Sequence, residues 1–274
     1  MTVVLDAGDA RLTIRVADGG RFGSLVIAGH EALVTEGWGP IRWGCYPMAP
    51  FAGRIRDGRF TFRGRDVRLP LNLPPHAIHG TVFERPWQIV SVASDRATLT
   101  CDLGPDWPFA GRVTQSVTLA PDGLDATLTL DADEPMPVSL GWHPWFTRAL
   151  GSAAIELGFA PGRMYERGAD GLPTGALVTP RARPWDDAFV EIASAPHVRW
   201  PGILDIELTS SADVWVVYDE TTDGLCVEPQ TAPPDAVNLA GTSAREPTIA
   251  EPGRPVTMTM GWRWRRLEHL DLLA

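Results

Sequence analysis

The hydrophobic and polar residues of this chain alternate in short runs, and these runs predict β-strands. Alternation is clearest over residues 11–16, 59–63 and 113–119. Successive side chains of a strand point to opposite faces, so such runs are typical of strands that bury one face. Further strand-like segments follow at residues 88–92, 97–101, 126–130, 203–208, 214–218 and 256–262.

Helical patterns are weak by comparison. The strongest spacing near 3.6 residues covers 185–193 and predicts one or two helical turns. Many strands with little helix exclude an alternating strand–helix architecture. We therefore predict an all-β fold, a large antiparallel β-sandwich.

Glycine and proline divide the chain into these segments, with 27 and 25 copies respectively. Turns that join two strands are predicted at residues 56–59, 62–65 and 120–123, where a glycine supplies the positive φ of a tight turn. The alternating Trp and Arg of residues 262–266 predict an edge strand with its arginines in solvent. No repeat or linker marks a boundary, so residues 1–274 are expected to form a single β-sandwich domain.

The charge balance of the chain limits its possible partners. Lys and Arg number 24 against 34 Asp and Glu, which gives a net charge of −10. Nucleic-acid binding draws its affinity from basic faces, so we expect no nucleic-acid partner. The three cysteines, Cys45, Cys101 and Cys226, form no CxxC pair and fit a reducing compartment. No secretory or membrane-spanning pattern is present, so the sequence predicts a cytoplasmic location and no membrane partner.

Candidate chemistry is concentrated in three segments where an ionisable side chain stands near a proline. His76 and His79 follow a double proline, His143 lies between two tryptophans just before Pro144, and Glu228 precedes a further proline. Pro interrupts a strand ladder, so these side chains are well placed to line a cavity at a strand end. His76 is interpreted as a structural loop histidine.

Two chemistries fit this set of side chains. His76, His79, His143 and Glu228 offer the nitrogen and oxygen ligands of zinc or non-haem iron sites. Alternatively, a carboxylate and an imidazole can exchange protons with a small substrate near neutral pH without a metal. The spacing along the chain does not decide between the two.

Five short motifs, in chain order, give the sequence a resemblance to a known family, the aldose 1-epimerases or galactose mutarotases. They are Gly-Arg-Ile-Arg-Asp-Gly-Arg-Phe at residues 53–60, Asn72 ahead of His79-Gly80, His-Pro-Trp-Phe at 143–146, Asp-Asp-Ala-Phe at 186–189, and Glu-Pro-Gln at 228–230. The resemblance implies a galactose mutarotase-like supersandwich that binds a monosaccharide, and a cytoplasmic isomerase that needs no metal or organic cofactor.

The resemblance also implies a role for each residue. Glu228 would be the general base that takes the proton from the anomeric hydroxyl, and His143 the general acid that protonates the ring oxygen. His79 would polarise the ring oxygen as a second catalytic histidine and contact the sugar. Arg54 and Asp186 would bind sugar hydroxyls.

Three departures from the family pattern bear on the substrate. Gly53 stands where Asn is usual, Thr81 replaces a second glycine, and Asp187 replaces a histidine, which leaves either Asp186 or Asp187 to face the sugar. The leading hypothesis is an aldose 1-epimerase that interconverts the α and β anomers of a free aldose, acting as a monomer or homodimer.

The alternatives are a hexose-6-phosphate 1-epimerase and a non-catalytic carbohydrate-binding module. The phosphate reading requires arginines such as Arg54, Arg56 and Arg85 to converge on the cavity. The binding-module reading is disfavoured because both proton-transfer residues are present.

Overall fold

A computed structural model describes residues 1–267, and β-strands dominate that range. Two three-residue 3₁₀ turns, Arg56–Gly58 and Ala236–Asn238, are the helical elements within it. The strands, in chain order, are β1 Thr2–Ala7, β2 Ala10–Arg15, β3 Arg21–Ile27, β4 His30–Glu31, β5 Cys45–Met48, β6 Arg54–Ile55, β7 Arg59–Phe62, β8 Arg65–Arg68, β9 Ala77–Ile78, β10 Gln88–Val92, β11 Arg96–Asp102, β12 Gly111–Ala120, β13 Gly123–Ala132, β14 Met136–Val138, β15 Gly141–Phe146, β16 Ala149–Leu150, β17 Ala153–Ala154, β18 Glu156–Gly158, β19 Arg163–Arg167, β20 Pro173–Val178, β21 Asp186–Val190, β22 His197–Trp200, β23 Leu204–Ser210, β24 Val214–Tyr218, β25 Leu225–Gln230, β26 Thr248–Ala250 and β27 Val256–Arg266.

Two large antiparallel sheets contain most of these strands. The eleven-stranded sheet has the order β1-β2-β3-β5-β15-β25-β24-β21-β19-β20, with β4 paired to β3. The eight-stranded sheet has the order β10-β11-β12-β13-β27-β23-β22-β18. Their facing sides form the hydrophobic core, which confirms the predicted all-β, antiparallel sandwich.

Alternation in the sequence explains the eight-stranded sheet. In β12 and β13 the buried side chains recur at every second position, because one face packs on the core and the other meets solvent. The turn predicted at residues 120–123 joins these two strands, with Gly123 paired to Ala120. The turn predicted at 62–65 likewise joins β7 to β8, with Arg63 and Gly64 both at positive φ.

The central strands of the eleven-stranded sheet follow another rule. All six residues of β15 and all six of β25 are buried, on both faces. One face of each strand packs into the core between the sheets, and the other lines a cavity on the far side. This double burial explains why the sequence of these strands lacks clean alternation.

Three local predictions were wrong. Residues 186–190 form strand β21 rather than helical turns. Three consecutive residues of this strand are buried, so its sequence lacks the alternation that identifies a half-buried strand. Strand β27 is central, paired with β13 on one side and β23 on the other. The turn predicted at residues 56–59 is present as a 3₁₀ turn with Gly58 at positive φ, but β6 pairs with β9 and β7 with β8, so the turn does not close a hairpin.

Within residues 1–267 no helix has the length and apolar character needed to cross a membrane.

Candidate active site

The register of the eleven-stranded sheet brings the candidate residues onto one face. Residues directly opposite each other in paired strands point to the same side of a sheet. His143 of β15 is paired with Tyr46 of β5, and Glu228 of β25 with Val216 of β24. Because Trp145 is paired with Cys226 in the same β15–β25 ladder, His143 comes to lie opposite Glu228.

His143 and Glu228 are in direct contact. The His143 Nε2 atom lies 3.2 Å from Glu228 Oε1, and the two residues are 5% and 2% exposed. The other carboxyl oxygen, Oε2, accepts a hydrogen bond of 3.0 Å from the Gln230 side-chain amide. Glu228 and Gln230 are two residues apart on β25, so both point to the cavity face. A buried imidazole and a buried carboxyl group at this distance can pass a proton directly.

His79 approaches the same point from a loop. Its ring centroid lies 4.9 Å from that of His143, in an edge-to-face arrangement. The side chain of Asn72 clamps this loop, accepting a 2.8 Å hydrogen bond from the Ile78 amide and donating one of 3.0 Å to the Ile78 carbonyl. Gly80, which follows His79, has φ +82°, and a Cβ there would lie 1.9 Å from the Ala49 carbonyl oxygen. Only glycine fits this close approach.

Arg54 and Asp186 form the opposite wall. Strand β6 carries Arg54 beside Ile78, and the Arg54 Nη1 atom lies 3.6 Å from Asp186 Oδ2. Asp186 is paired with Tyr218, which is paired with Cys226, so all three share the face of Glu228. The register therefore favours Asp186 as the residue that faces the cavity.

Asp187 also lines the cleft, but its side chain has no exposed surface, whereas that of Asp186 is 24% exposed. Its side chain is buried and accepts a 2.6 Å hydrogen bond from Arg181, with Arg167 at 3.6 Å from its second oxygen. Burial raises the pKa of Asp187, and the two arginines oppose that shift. Asp187 thus anchors the arginines that border the cavity.

These residues surround a cleft of about 930 Å³, lined by His79, His143, Glu228, Arg54 and Asp186 together with Trp38, Tyr165, Arg167, Tyr218 and Gln230. All five residues named from the sequence as catalytic or substrate-binding line this one cleft. That volume includes the mouth of the cleft, which is open to solvent. Five buried polar atoms of residues that line the cleft have no hydrogen-bond partner within the described part of the chain: His79 Nδ1, His143 Nδ1, Trp145 Nε1, Asp187 Oδ1 and Gln230 Oε1.

Aromatic rings hold the His143 imidazole in place. Tyr46 stacks on one side with ring centroids 4.8 Å apart, and Trp145 stacks on the other at 5.4 Å. Beneath Tyr46, the guanidinium of Arg21 is fully buried and donates hydrogen bonds to the carbonyls of Asp18, Trp43 and Phe83. Burial lowers the pKa of Arg21 to about 10, so the group remains positively charged at neutral pH.

Burial sets the protonation of the site. It raises the pKa of Glu228 well above its usual range, and the Asp186 carboxylate adds to that rise. It lowers the pKa of His143 to about 3 and that of His79 well below the usual imidazole value. Burial therefore favours a protonated Glu228 and a neutral His143.

Two parts of the sequence reading do not hold. His76 lies outside the cleft, where its Nδ1 atom accepts a 3.2 Å hydrogen bond from the Asp57 amide, so it does not join a metal set with the other three. Arg56 is paired with Asp170 and Asp235, and Arg85 packs beside Gly104. Arg54, Arg56 and Arg85, which a hexose-6-phosphate 1-epimerase would need in its cleft, therefore do not converge there.

The sequence reasoning missed three contributors to the site, Gln230, Tyr46 and Asn72. For Gln230 the sequence did carry a usable signal, because a residue two positions from Glu228 on a strand points to the same face. Asn72 was noted only as part of a motif. Tyr46 has no signal in the sequence, because its contact with His143 comes from the pairing of β5 with β15.

Gly53 stands where the family usually has Asn, and the structure shows a local reason for the glycine. Gly53 has φ +68°, and a Cβ there would lie 2.7 Å from the side chain of Pro234. The amide of His79 donates a 2.8 Å hydrogen bond to the Gly53 carbonyl. The glycine therefore lets the Arg54 and His79 segments pack together beside Pro234.

Known proteins share this fold. A galactose mutarotase-like protein from Clostridium acetobutylicum superposes with a TM-score of 0.84 at 17% identity, covering 97% of this chain and 95% of its own. Galactose 1-epimerase from Lactobacillus acidophilus gives 0.79 at 16% identity over 97% of this chain and 95% of its own. The uncharacterized protein YphB of Escherichia coli is 34% identical over 106 residues, 37% of this chain and 36% of YphB. The match thus spans about a third of that relative.

The fold is that of the galactose mutarotase-like proteins. The sequence profile of the aldose 1-epimerases matches residues 32–256, most of the chain. The chain belongs to the aldose 1-epimerase family.

Proposed function

We propose that this protein is an aldose 1-epimerase that interconverts the α and β anomers of a free monosaccharide. The observation that carries the proposal is the 3.2 Å contact between His143 and Glu228 in an open cleft that Arg54 and Asp186 also line. Ring opening moves one proton off the anomeric hydroxyl and one proton onto the ring oxygen, which are bonded to the same carbon. A base and an acid side by side on rigid strands suit this reaction.

In the proposed reaction, ionised Glu228 takes the proton of the O1 hydroxyl while protonated His143 gives one to the ring oxygen. The bond from C1 to the ring oxygen breaks, and C1 becomes an aldehyde. Rotation about the C1–C2 bond presents the other face, and the two transfers run backwards to close the ring. No atoms or electrons are exchanged with any third group.

The pair carries one proton throughout this cycle. The neutral form, Glu228 protonated and His143 neutral, is matched to ring closure, and the carboxylate–imidazolium form is matched to ring opening. Moving one proton across the contact interconverts them. Before a sugar binds, the neutral form prevails because burial disfavours both charges. Sugar hydroxyls add polarity next to the pair and favour the charged form.

The charges of the cleft favour a neutral sugar over a sugar phosphate. Its arginines already have carboxylate partners: Arg54 with Asp186, Arg42 with Asp223 at 3.0 Å, and Arg167 with Glu220 at 3.3 Å. A bound phosphate dianion would also face the Asp186 carboxylate. We therefore assign Arg54 and Asp186 to sugar hydroxyls, which they orient by charge-assisted hydrogen bonds.

Polarimetry on freshly dissolved galactose, glucose and arabinose tests the proposal. The wild type is expected to accelerate mutarotation of at least one of them, and Glu228→Gln and His143→Asn to lose about 10²- to 10⁴-fold in rate. Matched controls are Glu207→Gln and His30→Asn, which make the same exchanges away from the cleft. Absence of acceleration with every free aldose would refute the proposal, and a preference for 6-phosphorylated sugars would redirect it to the phosphate alternative.

A further inference from the structure

A buried thiol that the proposed reaction does not use lies beside the proton-transfer pair. Cys226 precedes Glu228 by two residues on β25, so both side chains point to the same face of the sheet. The thiol is free and fully buried. One ligand atom each from His143, Cys226 and Glu228 all lie within 4.8 Å of one another.

The distances suit a tetrahedral metal ion. With bonds of about 2.0–2.2 Å to nitrogen and oxygen, two ligands of a tetrahedral Zn²⁺ lie about 3.3 Å apart. The His143 Nε2 and Glu228 Oε1 atoms are 3.2 Å apart without any adjustment. A Zn–S bond of about 2.3 Å places a thiolate roughly 3.5 Å from those atoms. The Cys226 sulfur already lies within 4.8 Å of them, so it has to approach by at most about 1.3 Å.

The donor set selects the type of metal. Imidazole, thiolate and carboxylate together are ligands of Zn²⁺ and Co²⁺, whereas Mg²⁺ and Ca²⁺ prefer oxygen alone. His143 and Glu228 line the open cleft, so an ion can reach them from solvent. Asp186 lines the same cleft and adds negative charge to it. The cleft leaves the fourth coordination position to water or to a sugar hydroxyl.

We propose that His143, Cys226 and Glu228 form an inhibitory site for a thiophilic divalent cation, of which Zn²⁺ is the type, and that the occupied site cannot epimerise sugars. The inhibition rests on the proposed function, because the metal takes the imidazole lone pair and the carboxylate oxygen that the reaction needs. Metal binding itself does not rest on it. Coordination releases the thiol proton and the proton shared by Glu228 and His143, so binding strengthens as pH rises.

Cobalt spectroscopy and zinc inhibition test the two parts separately. Co²⁺ added to the wild type is expected to produce a thiolate-to-cobalt charge-transfer band in the near ultraviolet. Cys226→Ala is expected to lose this band, and Cys101→Ala, the same exchange at a buried cysteine on β11, to keep it. Cys226→Ser serves as a second variant, since it fills the space of the thiol with a poor zinc ligand.

Zn²⁺ is expected to inhibit mutarotation by the wild type and by Cys101→Ala, reversibly with a chelator. In Cys226→Ala the inhibition constant is expected to rise about 10-fold or more, since even outer-shell partners of a metal are worth about 10- to 100-fold. No charge-transfer band in the wild type, or equal zinc inhibition in Cys226→Ala, overturns the metal site. If the protein does not epimerise any sugar yet shows the band, the proposed function fails and the metal site stands.

Discussion

Replacing Gln230 by Met tests how the proton of the Glu228–His143 pair is controlled. The Gln230 amide donates a 3.0 Å hydrogen bond to Glu228 Oε2, and both residues are buried. This bond stabilises the ionised carboxylate and so opposes the rise of the Glu228 pKa that burial causes. Met has a similar size but no donor, so the substitution removes the hydrogen bond and leaves most of the packing.

The expected magnitude follows from the buried hydrogen bond. A hydrogen bond to a charged group contributes about 1.5–3 kcal/mol. At about 1.4 kcal/mol per pKa unit, its loss raises the Glu228 pKa further by about one to two units. The carboxylate–imidazolium form of the pair then becomes about 10- to 100-fold rarer, and the plateau of kcat/KM for ring opening falls by the same factor.

The assay is the pH dependence of kcat/KM, measured by polarimetry for the wild type and for Gln230→Met. The pair loses its last proton on the alkaline side, so a higher Glu228 pKa moves the alkaline limb to higher pH. Gln88→Met, the same exchange on exposed strand β10, is expected to leave the profile unchanged. A lower plateau with an unshifted alkaline limb would refute the reasoning, since a general disturbance of the cleft lowers the rate without moving the limb.

Three further predictions concern the walls of the cleft. His79 is buried in its neutral form, because burial lowers its pKa, whereas the unfolded chain takes up a proton there below about pH 6.5. The folded protein should therefore lose about 1.4 kcal/mol of stability through His79 for each pH unit below that value. Urea unfolding at several pH values should show that this loss is absent in His79→Asn. Trp38 lines the cleft yet is 75% exposed, so its indole is free to stack on a sugar face. Trp38→Ala should then raise KM about tenfold and leave kcat unchanged. The control Val90→Ala, on an exposed strand, should change neither. Asn72→Ala removes both hydrogen bonds of the clamp that positions His79 and should cost about 1–3 kcal/mol in urea unfolding while lowering kcat/KM; an unchanged kcat/KM would show that the clamp does not position His79.

The sequence predicts the fold class well because half-buried strands leave a direct signal. The alternation in β12, β13 and β27 reflects a sheet with one face in the core and one in solvent. The same signal reports which face is buried but not which strands are neighbours. The Trp and Arg of residues 262–266 alternate because one face of β27 packs on the core, and this says nothing about whether the strand is central or at an edge.

Prediction of the site failed where contacts depend on pairing between distant strands. The order of the motifs located Glu228, His143, His79, Arg54 and Asp186, and all of them line one cleft. Spacing could not decide between Asp186 and Asp187, because adjacent residues of a strand face opposite sides; both line the cleft, and the side chain of Asp186 is the more exposed. The register places Asp186 beside Tyr218 on the cleft face.

The core between the sheets thereby controls the chemistry on the opposite face. A shift of one residue in the pairing of β15 would carry His143 away from Glu228, since every side chain of the strand would change face. What opposes such a shift is the buried side of β15, where the Trp142 indole donates a 3.0 Å hydrogen bond to Gln115 of the other sheet and Phe146 packs against Trp262. Exposing either ring would cost about 2–3 kcal/mol in hydrophobic burial alone. The geometry of the proton-transfer pair is thus specified largely by residues that do not line the cleft.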